Sequence, residues 1–364
     1  MTRPSIPILA LIVVGGVLSV GLAQVRPGAG KPAAKKLIEW GWDEPDPAFM
    51  RAHAAAMDEL PFDGLVFHAN SDPGGRLTWE AWGGRDFAAD QFRKALDDLS
   101  ATRFRRLTDR FLRVNVTPGT VDWFDDRAWA TVAGNFGVAA HIAKAGGCKG
   151  LMFDVEQYEG RPFDYARQAH RGERSFAEYR AKVRQRGREW VRAVNAQFDD
   201  VTILLTFGYQ IAQPGTGKDR SAADYGLLAN FLDGVLEAAT DATTVVDAWE
   251  AAYPYKEARQ FEQAYKTIRE TALGWTAVPG RYRDRMRVGF GIWLDYEWRT
   301  KGWDVGEPAR NYFTPAAFEA AVRAALRVSD RYVWVYSEQP RWWTREKLPP
   351  AYVVALRRAK AAAE

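Results

Sequence analysis

With 364 residues, 47% of them hydrophobic, the chain is too apolar to be disordered and long enough for one large domain or two modest ones. Its 50 basic residues are nearly matched by 46 acidic ones, the balance of a solvated surface. A pI near 9.0 comes without a basic stripe, so nucleic acid is not an expected partner.

The first element is apolar. Arg3 precedes a run over 6–23 broken only by Ser19 and small residues, and Gly21-Leu22-Ala23 places small side chains before Gln24. The pattern predicts a secretory signal peptide over 1–23, cleaved after Ala23, and hence a bacterial periplasmic or secreted protein. The run is about long enough to span a bilayer, but Pro7 and Gly15-Gly16 oppose a stable spanning helix, so lasting membrane insertion is not expected. Residues 24–36 (QVRPGAGKPAAKK) read as a flexible linker.

From residue 37 to 364 strand-like runs alternate with helical stretches. The strands are expected at 37–41, 64–68, 111–116, 150–155, 201–207, 243–249, 287–294 and 332–336, each rich in β-branched or aromatic residues and bounded by Gly, Pro or Asp. Helices are expected at 47–59 after Asp46, 221–239 from a serine start, and 316–328 behind Thr314-Pro315. Longer charged or alanine-rich stretches follow the same reading at 175–196, 256–273 and 351–363. Eight strands alternating with helices imply the α/β class and a single (β/α)₈ TIM barrel. A doubly wound open sheet is the other candidate, but no glycine-rich nucleotide loop follows the first strand.

Strand alternation sharpens this. In the third strand Leu112, Val114 and Val116 share one face, against Arg113, Asn115 and Thr117. The fourth sets Leu151, Phe153 and Val155 against Met152, Asp154 and Glu156. The seventh sets Val288, Phe290, Ile292 and Leu294 against Gly289, Gly291, Trp293 and Asp295, and the eighth sets Val333 and Val335 against Trp334, Tyr336 and Glu338. In the sixth, Val246 and Ala248 oppose Asp247 and Trp249. Taking the apolar face outward onto the helices, polar and aromatic groups collect in the lumen.

Asp154 and Glu156 end the fourth strand as a carboxylate pair two residues apart on one face. Two such groups cannot both ionise cheaply, so one holds its proton, as a general acid must. Pairing with Arg113 in a structural network is the competing use of these residues. A second carboxylate is needed across a glycosidic bond; Glu338 ranks first for it, then Asp295, then Glu250, whose strand parity is less favourable. Of 15 tryptophans, Trp40, Trp42, Trp249, Trp293, Trp334, Trp342 and Trp343 lie on or just after strands, while Trp79, Trp82 and Trp123 fall in loops. Flat aromatic faces suit stacking on sugar rings, with polar groups bonding the hydroxyls. Trp40, Trp42, His68, Asn115, Tyr209, Asp247, Trp249, Glu250, Trp293, Tyr336 and Trp342 are therefore the expected substrate contacts.

The single cysteine, Cys148, allows no intramolecular disulfide and reads as a packed residue. Four scattered histidines have no zinc spacing, and no nucleophile elbow is present. Neither a metal nor a cofactor is expected.

The segment Gly150-Leu151-Met152-Phe153-Asp154-Val155-Glu156 resembles the fourth-strand motif of the chitinase-like glycoside hydrolase family 18, in which the last Glu is the acid and the Asp two before it assists. Lys149 and Met152 stand where that motif has further acids, and neither its third-strand Ser-x-Gly-Gly nor its sixth-strand Met-x-Tyr-Asp occurs here. In the retaining clan typified by cellulases and β-galactosidases an Asn precedes the fourth-strand acid and a seventh-strand Glu is the nucleophile. Val155 and Asp295 occupy the similar positions here. The likeness is thus to (β/α)₈ glycoside hydrolases as a pattern. It implies hydrolysis of O-glycosidic bonds in a poly- or oligosaccharide, with Glu156 as acid/base, Asp154 tuning it, and Glu338 or Asp295 as nucleophile or base. Two other readings stay open: a non-catalytic sugar-binding barrel, and a lyase or isomerase on acidic sugars that uses His68 and Arg113.

Overall fold

The computed structural model describes residues 34–215 and 219–363. The expected signal peptide, and the linker through residue 33, lie outside the described residues. Ala34–Glu364 forms one compact unit, and Lys36 opens the first strand.

All eight expected strands form, as nine segments: β1 (Lys36–Gly41), β2 (Gly64–Phe67), β3 (Asp109–Asn115), β4 (Gly150–Asp154), β5 (Thr202–Leu205), β6 (Thr244–Asp247), β7 (Met286–Val288), β8 (Phe290–Trp293) and β9 (Tyr332–Ser337). Neighbours pair in parallel in the order β7-β6-β5-β4-β3-β2-β1-β9-β8. β7 and β8 are two halves of the seventh strand, interrupted at Gly289. β7 bonds to β6 and β8 to β9, so the ring closes across that glycine into a single (β/α)₈ barrel. Glycine is required here for space. A Cβ on Gly289 would lie 2.9 Å from the Tyr332 carbonyl oxygen, and one on Gly291 would lie 2.5 Å from the Trp334 ring.

The helices begin where capping chemistry allows. Ser175 and Glu178 form a reciprocal capping box at the start of Phe176–Gln197, and the Thr314 hydroxyl accepts from Ala317 N ahead of Pro315–Val328. The helix expected at 221–239 starts later, at Leu228, because Ser221 belongs to a 3₁₀ turn capped by Asp219. Helices at Arg93–Ala101, Asp126–Ala145 and Pro279–Arg285 were not anticipated. In Asp126–Ala145, Gly134 and Gly137 dilute the helical signal. Gly137 sits where this helix approaches Phe176–Gln197, and a Cβ there would be 3.4 Å from the Ala193 carbonyl oxygen.

Two apolar layers result. Between strands and helices lie Leu112, Val114, Leu151, Phe153, Val288, Ile292, Val333 and Val335, with Trp82, Trp190 and Phe231. Inside the lumen lie Ile38, Val66, Phe111, Met152, Leu204, Val246 and Trp334. The alternation in β3, β4, β8 and β9 is the expected one. β6 is the exception: Val246 and Ala248 face the lumen, whereas Asp247 and Trp249 face the helices. Both faces of β6 are buried, and the contrast between Asp247 and its apolar neighbours points the opposite way because Asp247 is buried on the helix side.

Along its axis the lumen has three levels. At the N-terminal end Asp109 accepts from the Tyr332 hydroxyl (2.8 Å) and ion-pairs with Lys36 and Arg331. The apolar plug fills the middle, and polar side chains return at the strand C-termini. Among the described residues no helix is long and apolar enough to cross a membrane.

Candidate active site

A cleft of about 770 Å³ opens at the C-terminal ends of the strands, lined by Trp40, Trp42, Glu44, His68, Asn70, Arg76, Trp79, Arg113, Glu156, Tyr158, Glu250, Tyr253, Trp293, Arg299, Tyr336 and Glu338. Its position is the one barrel enzymes use, and its size falls within the range of small-molecule sites.

Arg113, rising from β3, is the hub of its floor. Nη2 donates to Asp154 Oδ2 (3.0 Å), Nη1 to Glu44 Oε2 (3.1 Å) and Nε to Asn115 Oδ1 (3.1 Å). The Trp40 and Trp79 rings cover the guanidinium, with centroids 5.1 and 5.0 Å away. Glu44 also accepts from Trp40 Nε1 (3.0 Å) and meets His68 Nδ1 at 3.5 Å. Burial pushes the Glu44 carboxyl up, but Arg113 and His68 outweigh it and hold the group below its ordinary range. His68 is half-buried, which opposes its charge, yet Glu44 overcomes this and raises it. The result is a row in which basic and acidic side chains alternate: His68, Glu44, Arg113, Asp154.

Asp154 is fully buried and lies beneath the cleft surface. Its Oδ1 accepts from Glu156 N (3.1 Å), and its Oδ2 accepts from Tyr158 OH (3.0 Å) as well as from Arg113. Glu156, two residues on, does line the cleft. Burial first, and the charge of Asp154 second, raise its carboxyl above the ordinary value. Glu250 faces it from the end of β6. The two carboxyl groups hydrogen-bond each other, and Glu250 is raised well above its ordinary value by burial and then by the charges of Glu156 and Asp154. The contact acts unequally, raising Glu250 and pulling Glu156 down. Glu250 reaches this place because Trp249 adopts a left-handed φ of 34°, turning the chain into the 3₁₀ segment Glu250–Ala252. Trp334 Nε1, bonded to the Ala248 carbonyl at 2.8 Å, braces that turn from inside the barrel. A tryptophan in the left-handed region is strained.

On the other side of the cleft stands Glu338. It accepts from Trp298 Nε1 (2.6 Å), Arg299 Nη2 (2.6 Å) and Tyr336 OH (3.1 Å). Trp298 and Arg299 belong to the short turn Trp298–Lys301, entered through Glu297 at a φ of 67°. Asp295 stands behind Glu338. It is 1% exposed and accepts from the backbone N–H groups of Glu338 (3.1 Å) and Gln339 (2.7 Å) and from Trp293 Nε1 (2.8 Å). Burial pushes its carboxyl up to about 6. Asp295 therefore shapes the loop that carries Glu338 and does not reach the cleft.

No known family profile matches this sequence, and no curated protein does. Solved structures similar to the chain include a glycoside hydrolase family 5 enzyme from Prevotella bryantii in complex with a xyloglucan tetradecasaccharide, at 13% identity over 88% of each chain with a TM-score of 0.48. A broad-specificity endoglucanase of the same family from an uncultured bacterium is 12% identical over 88% of this chain and 86% of its own, with a TM-score of 0.46. A sugar phosphate isomerase/epimerase from Parabacteroides distasonis is 11% identical over 92% and 95%, with a TM-score of 0.38. Hydrolases and an isomerase/epimerase stand together here, and none assigns a chemistry.

The cleft gathers Trp40, Trp42, His68, Glu156, Glu250, Trp293, Tyr336 and Glu338 from the residues singled out in the sequence. Others lie elsewhere. Asn115 is fully buried behind Arg113. Tyr209 points away from the lumen and donates to Asp233 Oδ1 (2.9 Å). Asp247, on the outer face of β6, accepts from the backbone N–H groups of Trp249 and Gly208. Trp249 packs in the outer layer, and Trp342 packs edge-on against Phe62. Trp82 and Trp123 are core residues beside Trp129. The sequence reading missed Glu44, Tyr253 and Arg299. Glu44 sits three residues past the end of β1, and that strand-end position was its available signal. Tyr253 and Arg299 come from one-turn helices that the strand pattern does not reveal.

Proposed function

We propose that the protein is a glycoside hydrolase acting on a poly- or oligosaccharide, with Glu156 as proton donor and Glu338 as the second carboxylate. One observation carries this reading: the half-buried carboxyls of Glu156 and Glu250, both raised above their ordinary values, face across an aromatic-lined cleft a carboxylate ion-paired to Arg299. Protonated Glu156 delivers its proton to the glycosidic oxygen as the bond to the leaving group breaks. Glu338 meets the positive charge developing at the anomeric carbon, either by attacking that carbon or by taking a proton from the attacking water. Burial and the charge of Asp154 hold the Glu156 carboxyl up, against the downward pull of its hydrogen bond with Glu250. Arg113 holds Asp154 and Glu44 beneath the sugar.

The acidic-sugar lyase reading asks Arg113 to receive a substrate carboxylate. Here both of its terminal nitrogens are committed to carboxylates and two indole rings cover it, which favours hydrolysis. The sugar-binding reading shares the aromatic cleft and is separated by turnover.

Glu156→Gln keeps shape and a hydrogen-bond donor but cannot give up a proton. Its kcat on the natural glycan is expected to fall by about 10²–10⁴, with much of the loss recovered on an aryl glycoside whose leaving group needs no protonation. Glu338→Gln should lose activity on both substrates. Full activity of Glu156→Gln on the polysaccharide would end the assignment, and wild-type binding of glycans without turnover would replace it with a binding function.

A further inference from the structure

We infer that the cleft binds a glycan chain across its whole width, with sugar units on both sides of the scissile bond, so that cleavage is internal rather than terminal. The inference rests on the hydrolase reading above and goes on to specify its substrate. Two aromatic platforms carry it, each tied to one of the two proposed catalytic carboxyls.

The first platform is Trp79 with Tyr158, ring centroids 5.4 Å apart. Tyr158 is 47% exposed although its hydroxyl is anchored to Asp154, and it also hydrogen-bonds Glu156. The second platform is Trp42 with Trp298, centroids 6.3 Å apart. Trp42 is 54% exposed although its Nε1 is anchored to Tyr336 OH at 2.9 Å, and Trp298 donates to Glu338. An exposed indole or phenol ring held by its polar atom is fixed in orientation with a flat face left for a partner. Among the described residues only four large hydrophobic side chains are strongly exposed, and two of them are Trp42 and Tyr158. Both rings line the cleft, so their free faces are presented to whatever occupies it.

The platforms come from different parts of the barrel. Trp79 and Tyr158 follow β2 and β4, whereas Trp42 and Trp298 follow β1 and β8. The bond that reacts must lie between Glu156 and Glu338. A sugar stacked beside Glu156 and another stacked beside Glu338 therefore belong to opposite sides of that bond. Every cleaved bond has a sugar on each side; internal cleavage further needs both ends of the cleft unwalled, and here Trp42 and Tyr158 are each about half exposed, so a chain can continue past both platforms.

The test uses the whole protein and labelled linear oligosaccharides of two to six units in the β-1,4-glucan, β-1,4-xylan, β-1,4-mannan, chitin and α-1,4-glucan series, with the matching polysaccharides. Wild type should cut a polysaccharide internally, lowering viscosity well before reducing ends accumulate. Affinity of the inactive Glu156→Gln protein, read by tryptophan fluorescence, should keep rising beyond three units. Trp42→Ala and Trp79→Ala should each lower kcat/KM on the hexasaccharide by roughly 30-fold, the scale of losing an anchoring aromatic contact, and far less on an aryl monoglycoside. Because Trp79 also covers Arg113, Trp79→Phe serves as the folded control and should recover part of the loss. Release of terminal sugars only, or sensitivity to just one of the two platforms, overturns the inference while leaving the hydrolase reading intact. If no glycan is bound or cut, the hydrolase reading falls and this inference with it.

Discussion

Arg113 reaches from β3 to a point where Glu44, Asp154 and two indole rings meet it, and the charge of Asp154 is thereby fixed directly behind Glu156. On the proposed mechanism, this sets the pH range over which Glu156 serves as proton donor. Asp154 raises the Glu156 carboxyl, while Arg113 lowers it. Asp154→Asn removes the first influence and leaves the second less compensated. The alkaline limb of the activity profile, where the acid loses its proton, should therefore move to lower pH. A kcat/KM profile from pH 4 to 9 checks this, and a limb that stays in place or moves up would contradict the proposed division of roles. At this scale much was legible: Asp154, Glu156 and Arg113 share a face by simple alternation. The Glu156–Glu250 contact was not, because it joins residues 94 positions apart through a left-handed turn at a tryptophan, a conformation that no sequence preference announces.

Among the elements, the seventh strand shows how lumen packing and site geometry are linked. Gly291 leaves room for the Trp334 indole, which lies 4.7 Å from the Trp40 ring and 5.2 Å from the Tyr253 ring and also holds the Ala248 carbonyl. Gly291→Ala would place a methyl 2.5 Å from that indole. Such overpacking typically costs about 1–3 kcal/mol, and the displaced indole would release the turn that delivers Glu250. Denaturant unfolding should show the stability loss, and kcat should fall on a protein with unchanged far-ultraviolet circular dichroism. Unchanged kcat would mean that Trp334 does not brace the turn. Alternation alone assigns Gly289 and Gly291 to the lumen side, since their apolar neighbours mark the other face. It fails in β6, where both faces are buried and the polar Asp247, which alternation assigns to the lumen, lies on the helix side.

For the molecule as a whole, several buried acids dominate the response to pH. Burial pushes Asp247 up to about 7 from an ordinary 3.8, and Asp295 to about 6; Glu39 is raised well above its ordinary value by burial and by Asp43. A carboxyl whose folded pKa is raised keeps its full contribution to stability below the ordinary value and loses it as the pH climbs to the folded one. Stability should thus decline from about pH 4 to about pH 7, by up to about 4 kcal/mol from Asp247 alone at about 1.4 kcal/mol per pH unit. Asp247→Asn, uncharged throughout, should flatten that decline. Urea midpoints measured across the window would show it, and a midpoint that rises steadily with pH in wild type would refute it. None of this was visible in the sequence, where Asp247 and Asp295 read as lumen residues open to substrate.

The closure of the ring at Gly289 gives the barrel a seam. Elsewhere each strand pairs with its neighbours along one continuous segment, but the seventh strand divides its hydrogen bonds, its first half to β6 and its second to β9. Near the cleft the bond from Gly291 N to the Trp249 carbonyl stretches to 3.5 Å. Partial opening of a cooperative fold starts where the fewest backbone bonds must break together. Amide protons around Gly289 and Gly291 should accordingly exchange with solvent ahead of those in β3 and β4, and that first opening would unlatch the strained turn at Trp249 and draw Glu250 away from Glu156 while the rest of the barrel stays folded.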